Sequence, residues 1–535
     1  QITIPAGSTL CVEKLSSVYT SRDRDSEGLS YDELHDKALA GHEAACELGY
    51  DELLSESAAA WARKVWDNIP VTIDAENEFA QYHLHVMTPA HDNRMNIGAK
   101  GLSGEGYKGH TFWDTEMFIL PYFIYSAPEI AKSLEEYRFL SLPGAHKKAG
   151  GNGYEGAQFP WESAWIDDGE VTPVWGAADI VTGLPTKIWS GFIEQHITAD
   201  VAYGAWEYYM VTGDEDFMER CGYELILDTA KFWASRLEEG EDGKLHINDV
   251  VGPDEYKEHV DDNAFTNHMA AWNIRKALEY CGLLRSEKPA LYKALDEKLG
   301  LAALEPVWED KLSRLYLPQP REDLVIPQDR TYLTLKDIDL TKYKKQENVG
   351  SIYRDYNQEQ ITHIQVSKQA DILIMFLLLE DQFSAEVKAA NWNYYEPRTL
   401  HDSSLSLSTH CILAGDMGNR EMAYELFQKA AAIDVGPNMK TSDAGIHAAS
   451  LAGVWQSVVF GFGGVRMLDG KLRMNPSLPE SWRGLDFFIH WQGQKLHVSL
   501  SHERAELVNL TGTREVELSI NGRPCTVKDK LSVNL

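Results

Sequence analysis

Apolar side chains return every three to four residues through most of this chain, a period that predicts a mainly α protein. Helical stretches are expected near residues 73–88, 111–126, 128–146, 196–212, 215–238, 262–283, 287–303, 367–379, 383–393, 402–415, 418–433 and 442–460. Short turns such as Gly213-Asp214 and Gly415-Asp416-Met417-Gly418 favour antiparallel helical hairpins. Twelve helices in six hairpins fit an (α/α)6 barrel over residues 71–463, although periodicity alone leaves another helical solenoid open. Ahead of it, residues 31–70 are rich in Ala, Glu and Leu, with Leu34, Ala38, Leu39, Ala44 and Ala45 in an amphipathic pattern, and predict a helical linker. After Gly464 the period shortens to two, as in Lys495-Leu496-His497-Val498-Ser499-Leu500. Val516–Ile520 followed by Asn521-Gly522 adds a hairpin signal, so residues 464–535 predict a small C-terminal β-sandwich. Gln1-Ile2-Thr3-Ile4-Pro5 also alternates like a strand.

Composition narrows the function. A chain of 535 residues exceeds what one core serves, and no apolar run approaches the length of a membrane span. A formal charge of −32 opposes binding to a phosphate backbone, which excludes nucleic acid as the expected partner. The six cysteines, Cys11, Cys46, Cys221, Cys281, Cys411 and Cys525, lack paired spacing. They predict neither a zinc site nor a disulfide framework, but free, mostly buried thiols of a cytoplasmic protein; no signal peptide is recognised.

Candidate chemistry concentrates first in Val251-Gly252-Pro253-Asp254-Glu255-Tyr256. Gly252 favours a turn and Pro253 cannot continue a helix, so Glu255 is expected near a loop tip as a proton donor. Asp261 and Asp262 are candidate caps of the following helix. Long insertions at 147–195 and 310–366 interrupt the helices, and such loops are more often functional than idle.

Four further motifs accompany that loop: Gly106–Glu116 containing His110-Thr111-Phe112-Trp113-Asp114, Phe159-Pro160-Trp161-Glu162-Ser163-Ala164, Ser367-Lys368-Gln369-Ala370-Asp371, and Tyr395–Ser406 containing His401-Asp402-Ser403-Ser404. Together and in this order they resemble glycoside hydrolase family 65, a family of maltose, trehalose, kojibiose and nigerose phosphorylases, from roughly Thr20 to the end. The resemblance implies the (α/α)6 fold and reads residues 1–30 as remnant strands of an N-terminal β-domain. It assigns Trp113, Asp114, Lys368 and Gln369 to the glucose subsite, with Trp161 and Glu162 lining the same pocket. Phosphate is placed at Ser403, Ser404 and at His447 in Ser442-Asp443-Ala444-Gly445-Ile446-His447. Lys100 stands where many members carry Arg and is expected to bear on acceptor choice. The segments Phe159–Ala164, Val171–Gly176 and Ile97–Leu102 look most like the branch acting on kojibiose, the α-1,2-linked disaccharide.

Breaking an acetal requires an acid at the leaving oxygen and a nucleophile at the anomeric carbon; an inverting hydrolase adds a second carboxylate to activate water. A phosphorylase needs only the acid, because phosphate is itself the nucleophile, and the paired hydroxyls of Ser403 and Ser404 ahead of a helix suit an anion. The expectation is therefore an inverting disaccharide phosphorylase with Glu255 as a protonated, shielded acid. It would use phosphate as co-substrate, with no metal and no other cofactor. Disaccharide and phosphate are the partners, no membrane is involved, and a homodimer is open where the N-terminal domain is present. Two alternatives stand beside it: an inverting hydrolase on the same fold, and an inactive carbohydrate-binding or scaffolding protein. For the leaving sugar, the wall is expected from Trp161, Trp165, Trp175 and Trp189.

Overall fold

The computed structural model describes residues 2–67, 75–345, 349–436 and 444–535, the side chains of residues 75–77 aside. It divides into two units, residues 1–70 and 71–535. In the first, helix Tyr31–Trp61 starts on a capping box in which Ser30 and Glu33 satisfy each other's backbone N–H groups, and it breaks at Gly49, where φ is 76°. None of its residues is buried, so the apolar pattern of 31–61 is not covered within this unit. The strands expected in residues 1–30 are not formed among the described residues, which hold only a 3-10 turn at Arg24–Ser26. Alternation makes a strand only where a neighbour supplies the ladder of hydrogen bonds, and the described residues of this unit form no such strand.

In the second unit, six helical segments pack side by side: Thr115–Ile119 with Leu120–Ser126, then Ile197–Thr212, Ala264–Glu287, Asp371–Leu378, Ser406–Asp416 and Ala448–Gln456. Each touches the next, and the last returns to the first, which closes an inner ring. Ala75–Met87, Pro128–Leu140, Tyr223–Arg236, Leu301–Arg314, Ala385–Tyr395 and Arg420–Ala431 pack outside it. This is the expected (α/α)6 barrel. The inner members are buried along most of their length, as in Ser406–Ala414 and Ala448–Gln456, because the ring covers all of their faces.

The expected helix at 128–146 is two helices, Pro128–Leu140 and Leu142–Gly151, and that at 287–303 is divided by Gly300 in the left-handed region (φ 79°). The expected starts at 73 and 442 lie outside the described residues. Asp261 and Asp262 do not cap the helix at 264: Asn263 does, accepting from Thr266 N. Asp262 instead accepts from Arg330 and pairs with His246 Nδ1 at 2.8 Å, and Asp261 accepts from Asp249 N.

The tail is a sandwich of two four-stranded sheets. Leu485–Trp491 and Gln494–Leu500 alternate strictly between buried and half-buried positions. Val516–Ile520 pairs with Arg523–Val527 across Asn521 (φ 49°) and Gly522 (φ 73°), the two positive values that a tight hairpin turn demands. Of the insertions, the first carries the small hairpin Trp175–Ala178/Pro185–Lys187. The second folds Leu340, Tyr343, Ile352, Ile361, Ile364 and Val366 around Tyr256, next to the candidate acid.

Candidate active site

Nine of the ten singled-out residues line one cavity of about 630 Å³: Trp113, Asp114, Trp161, Glu162, Glu255, Lys368, Ser403, Ser404 and His447. Most sit in the loops that lead into the inner helices, just before Thr115, Ala264, Asp371, Ser406 and Ala448. Five helix N-termini therefore follow cavity-lining residues, and their unpaired N–H groups favour negative charge nearby.

The acid's loop is braced from every side. Asp254 N donates to Asp371 Oδ1 (2.6 Å), Asp254 Oδ1 accepts from Lys368 N (2.8 Å), and Asp254 Oδ2 accepts from Gln328 Nε2 (2.8 Å). Gln358 donates to the Glu255 carbonyl at 2.9 Å, and Lys257 Nζ holds the carbonyls of Ile361 and Ile364. Burial pushes both Asp254 and Asp371 up, and the charge of Asp254 raises Asp371 further. Gly252 is required by space: a Cβ would lie 2.3 Å from Asn263 Nδ2 and 2.5 Å from Asp371 Oδ2.

Glu255 itself is about one-third exposed toward the cavity, and its Oε1 accepts from Lys368 Nζ at 2.7 Å. Gln369 does not line the cavity; it donates to Pro253 O at 2.7 Å, supporting the acid's loop from behind.

Along the aromatic wall, Phe112 packs edge-on against Trp161 (5.7 Å), and Tyr107 against Phe112 (5.1 Å). Glu162 Oε1 bonds His110 Nδ1 at 2.6 Å; burial raises its carboxyl while His110 opposes. Burial, followed by the charges of Glu255 and Glu116, pushes the Asp114 carboxyl up to about 7. Behind the two tryptophans lies a fully buried set that the sequence did not reveal: His196 bonds Asp200 at 2.7 Å and Glu194 at 3.2 Å, with its ring 4.8 Å from that of Trp113 and 6.2 Å from that of Trp161. Against the effect of burial, Asp200 and Glu194 push His196 up to about 10.

Of the four tryptophans expected around the leaving sugar, Trp161 lines the main cavity, and Trp189 lines a neighbouring one of about 410 Å³ that Glu255 and Lys368 also reach. Of the other two, Trp175 is exposed on its hairpin, and Arg94 lies over the ring of Trp165. Tyr107, Lys108, Thr172 and Ser190 also line the main wall; the first three lie in the quoted segments Gly106–Glu116 and Val171–Gly176, and Ser190 lies in none.

At the far end, Ser403 Oγ accepts from Leu405 N (3.2 Å), and Ser404 lies beside it in the turn before Ser406. Asp434 orients His447 twice, accepting from its backbone N–H (2.9 Å) and pairing with Nδ1 (2.8 Å), which leaves Nε2 for the cavity. No motif marks Asp434. The close approach expected of Gly445 is present, with φ 94° and a Cβ that would meet Ser103 Oγ at 2.9 Å; Ser442 and Asp443 lie outside the described residues. Lys100 is buried, its chain lies against Gly106, and its charge is coupled to Asp434. That placement is on the side of the cavity where Asp434 holds His447.

The sequence offered no metal-ligand spacing near these positions, yet Glu396, His401 and His410 bring ligand atoms within 4.8 Å of one another beside the Ser-Ser turn. Both Glu396 oxygens are engaged by imidazoles, His410 Nδ1 closely and His401 Nε2 at 3.4 Å, and His401 Nδ1 bonds Ser406 Oγ at 2.8 Å. This network holds His401 in the left-handed region (φ 56°), immediately before Asp402.

Comparison with known proteins places this geometry. Residues 78–456 match the glycosyl hydrolase family 65 central catalytic domain, and residues 465–527 match the C-terminal domain of the same family. A kojibiose phosphorylase of Halothermothrix orenii is 46% identical over 98% of this chain and 69% of its own length. One of Escherichia coli is 40% identical over 98% and 68%. Among solved structures, a candidate kojibiose phosphorylase from the human microbiome superposes with a TM-score of 0.84 at 26% identity, covering 95% of this chain and 69% of that one. The chain thus spans about two thirds of the length of these relatives.

Proposed function

The chain belongs to glycoside hydrolase family 65, and on that premise we propose that it is a disaccharide phosphorylase that cleaves kojibiose with inorganic phosphate, inverting the anomeric centre to give β-glucose 1-phosphate and glucose. One observation carries the reading: a single cavity joins the acid Glu255 to a wall of sugar-binding type and to an anion end made by Ser403, Ser404 and His447. Glu255 gives its proton to the glycosidic oxygen as the C1–O bond breaks, and a phosphate oxygen forms the new bond to C1 from the opposite face. Trp113, Asp114 and Lys368 hold the glucosyl unit, and Trp161 with Glu162 extends the wall. This route uses no metal and no organic cofactor, because the nucleophile arrives with the co-substrate.

The rival hydrolase would require a carboxylate free to activate water beside the anion end. Asp402 is the acid at that position, and both of its oxygens are engaged, by Tyr256 OH (2.5 Å) and Gly350 N (2.8 Å). That arrangement supports phosphate as the nucleophile. An inactive binding protein would have no use for the buried bracing around Glu255. The cysteines, all unpaired, support a reducing compartment such as the cytoplasm. None of the described helices is long and apolar enough to cross a membrane.

The names of the relatives and the motif likeness favour the α-1,2 linkage over nigerose, maltose and trehalose. A panel in the synthetic direction decides it: β-glucose 1-phosphate is offered with glucose or glycerol and each product's linkage is assigned by NMR. Predominant α-1,2 product with glucose is expected; predominant α-1,4 or α,α-1,1 product overturns the kojibiose assignment.

A further inference from the structure

Glu255 and Lys368 meet where the main cavity joins its neighbour of about 410 Å³, and both residues line both spaces. The ammonium donates to Glu255 Oε1 at 2.7 Å. Its root is tied to the acid's own loop, through Lys368 N to Asp254 and the adjacent Gln369 amide to Pro253 O. Lys368 can therefore move only by swinging its flexible stem within the cavity. Other charged or titratable groups around Glu255 are Tyr107 and Asp114 on the sugar wall, Tyr353 and Glu258 toward the second cavity, and buried Glu194 behind. Lys368 is the cation that pairs with it. Although burial works against it, the charge of Glu255 and this hydrogen bond hold the Lys368 ammonium above its ordinary range.

A carboxylate accepting from an ammonium cannot donate a proton to a glycosidic oxygen at the same time. Resting on the phosphorylase reading, we propose that Lys368 parks Glu255 as a carboxylate before the sugar binds, and that the hydroxyls of the bound glucosyl unit draw the ammonium away so that Glu255 takes up a proton on binding. The proton comes from solvent and passes to the leaving oxygen as C1–O breaks. Phosphate supplies the new C1–O bond, and the carboxylate returns to Lys368. The acid is thereby armed only when the donor sugar is in place.

Calorimetric titration of kojibiose into the phosphate-free protein, in buffers of different ionisation enthalpy, counts protons taken up. The wild type is expected to take up about 0.5–1 proton per site more than Glu255→Gln, in which Asp114 and the other neighbours still titrate. Equal uptake in the two proteins overturns the proposal. In Lys368→Met the excess shrinks, and the alkaline limb of kcat/KM moves to higher pH, because the free enzyme's acid is no longer held as an ion pair. An unchanged excess and an unchanged limb in that variant also overturn it. Release of glucose in the calorimeter without phosphate, or failure of kojibiose, nigerose, maltose and trehalose all to bind, would instead defeat the phosphorylase reading, and the proposal with it.

Discussion

Asp434 offers the sharpest separation of phosphate binding from sugar binding. It accepts from His447 N at 2.9 Å and pairs with His447 Nδ1 at 2.8 Å, so it fixes both the start of helix Ala448–Gln456 and the plane of the ring. Asn at this position keeps the shape and one acceptor oxygen, but loses the charged partner of the imidazole. A hydrogen bond to a charged group contributes about 1.5–3 kcal/mol, and removing a group that orients a ligand-binding histidine typically costs about 10–100-fold in affinity. The expected result for Asp434→Asn is a phosphate KM raised by roughly tenfold or more, about 1.4 kcal/mol per decade. Turnover at saturating phosphate and the KM for kojibiose should stay close to wild type, since Asp434 does not reach the sugar wall. Initial rates of glucose release over a phosphate series at saturating kojibiose, with a thermal melt to check folding, measure this. An unchanged phosphate KM, or equal rises in both KM values, would refute the assignment of His447 and its carboxylate to the phosphate end.

Three further outcomes are expected. Glu255→Gln keeps the shape of the loop but removes the acid, so kcat for kojibiose should fall by roughly 10²–10⁴, and near-normal turnover would move the acid elsewhere, with Glu162 the next residue to test. Gly252→Ala drives a methyl into Asn263 and Asp371, so overpacking should cost about 1–3 kcal/mol and displace the acid; a melting temperature and kcat equal to wild type would show that the loop is not so tightly held. With Asp114 raised to about 7, its carboxylate is lost as pH falls through that value, so kcat/KM for the disaccharide should decline on the acid side, and Asp114→Asn should flatten that limb; an unaltered profile would remove Asp114 from sugar binding.

The sequence carried local signals well and long-range ones poorly. Gly252-Pro253 announced a turn at Glu255, and the periodicity placed most of the described barrel helices, because capping, turn residues and amphipathic spacing are local properties; the outer helix Leu301–Arg314 was missed beyond residue 303. The closure of the ring, from Ala448–Gln456 back to Thr115–Ile119, is a contact between elements more than 300 residues apart and leaves no local trace. Asp434 and the Glu194, His196 and Asp200 set escaped for the same reason, since burial and packing against Trp113 give them their roles. Gln369 parts from its neighbour: Ser367 and Gln369 bond back into the scaffold while Lys368 faces the cavity, as adjacent residues of an extended segment face opposite ways. Asn263 was overlooked because two aspartates precede it, and both were already committed to partners elsewhere.

The central claim is that phosphate, and not water, attacks the glucosyl carbon. Incubation of the purified chain with kojibiose in the presence and absence of inorganic phosphate, followed by proton and phosphorus NMR from the first minutes, tests it most directly. The predicted result is β-glucose 1-phosphate and glucose in equal amounts with phosphate and no cleavage without it; equal glucose release in both tubes, with no sugar phosphate formed, would contradict the account.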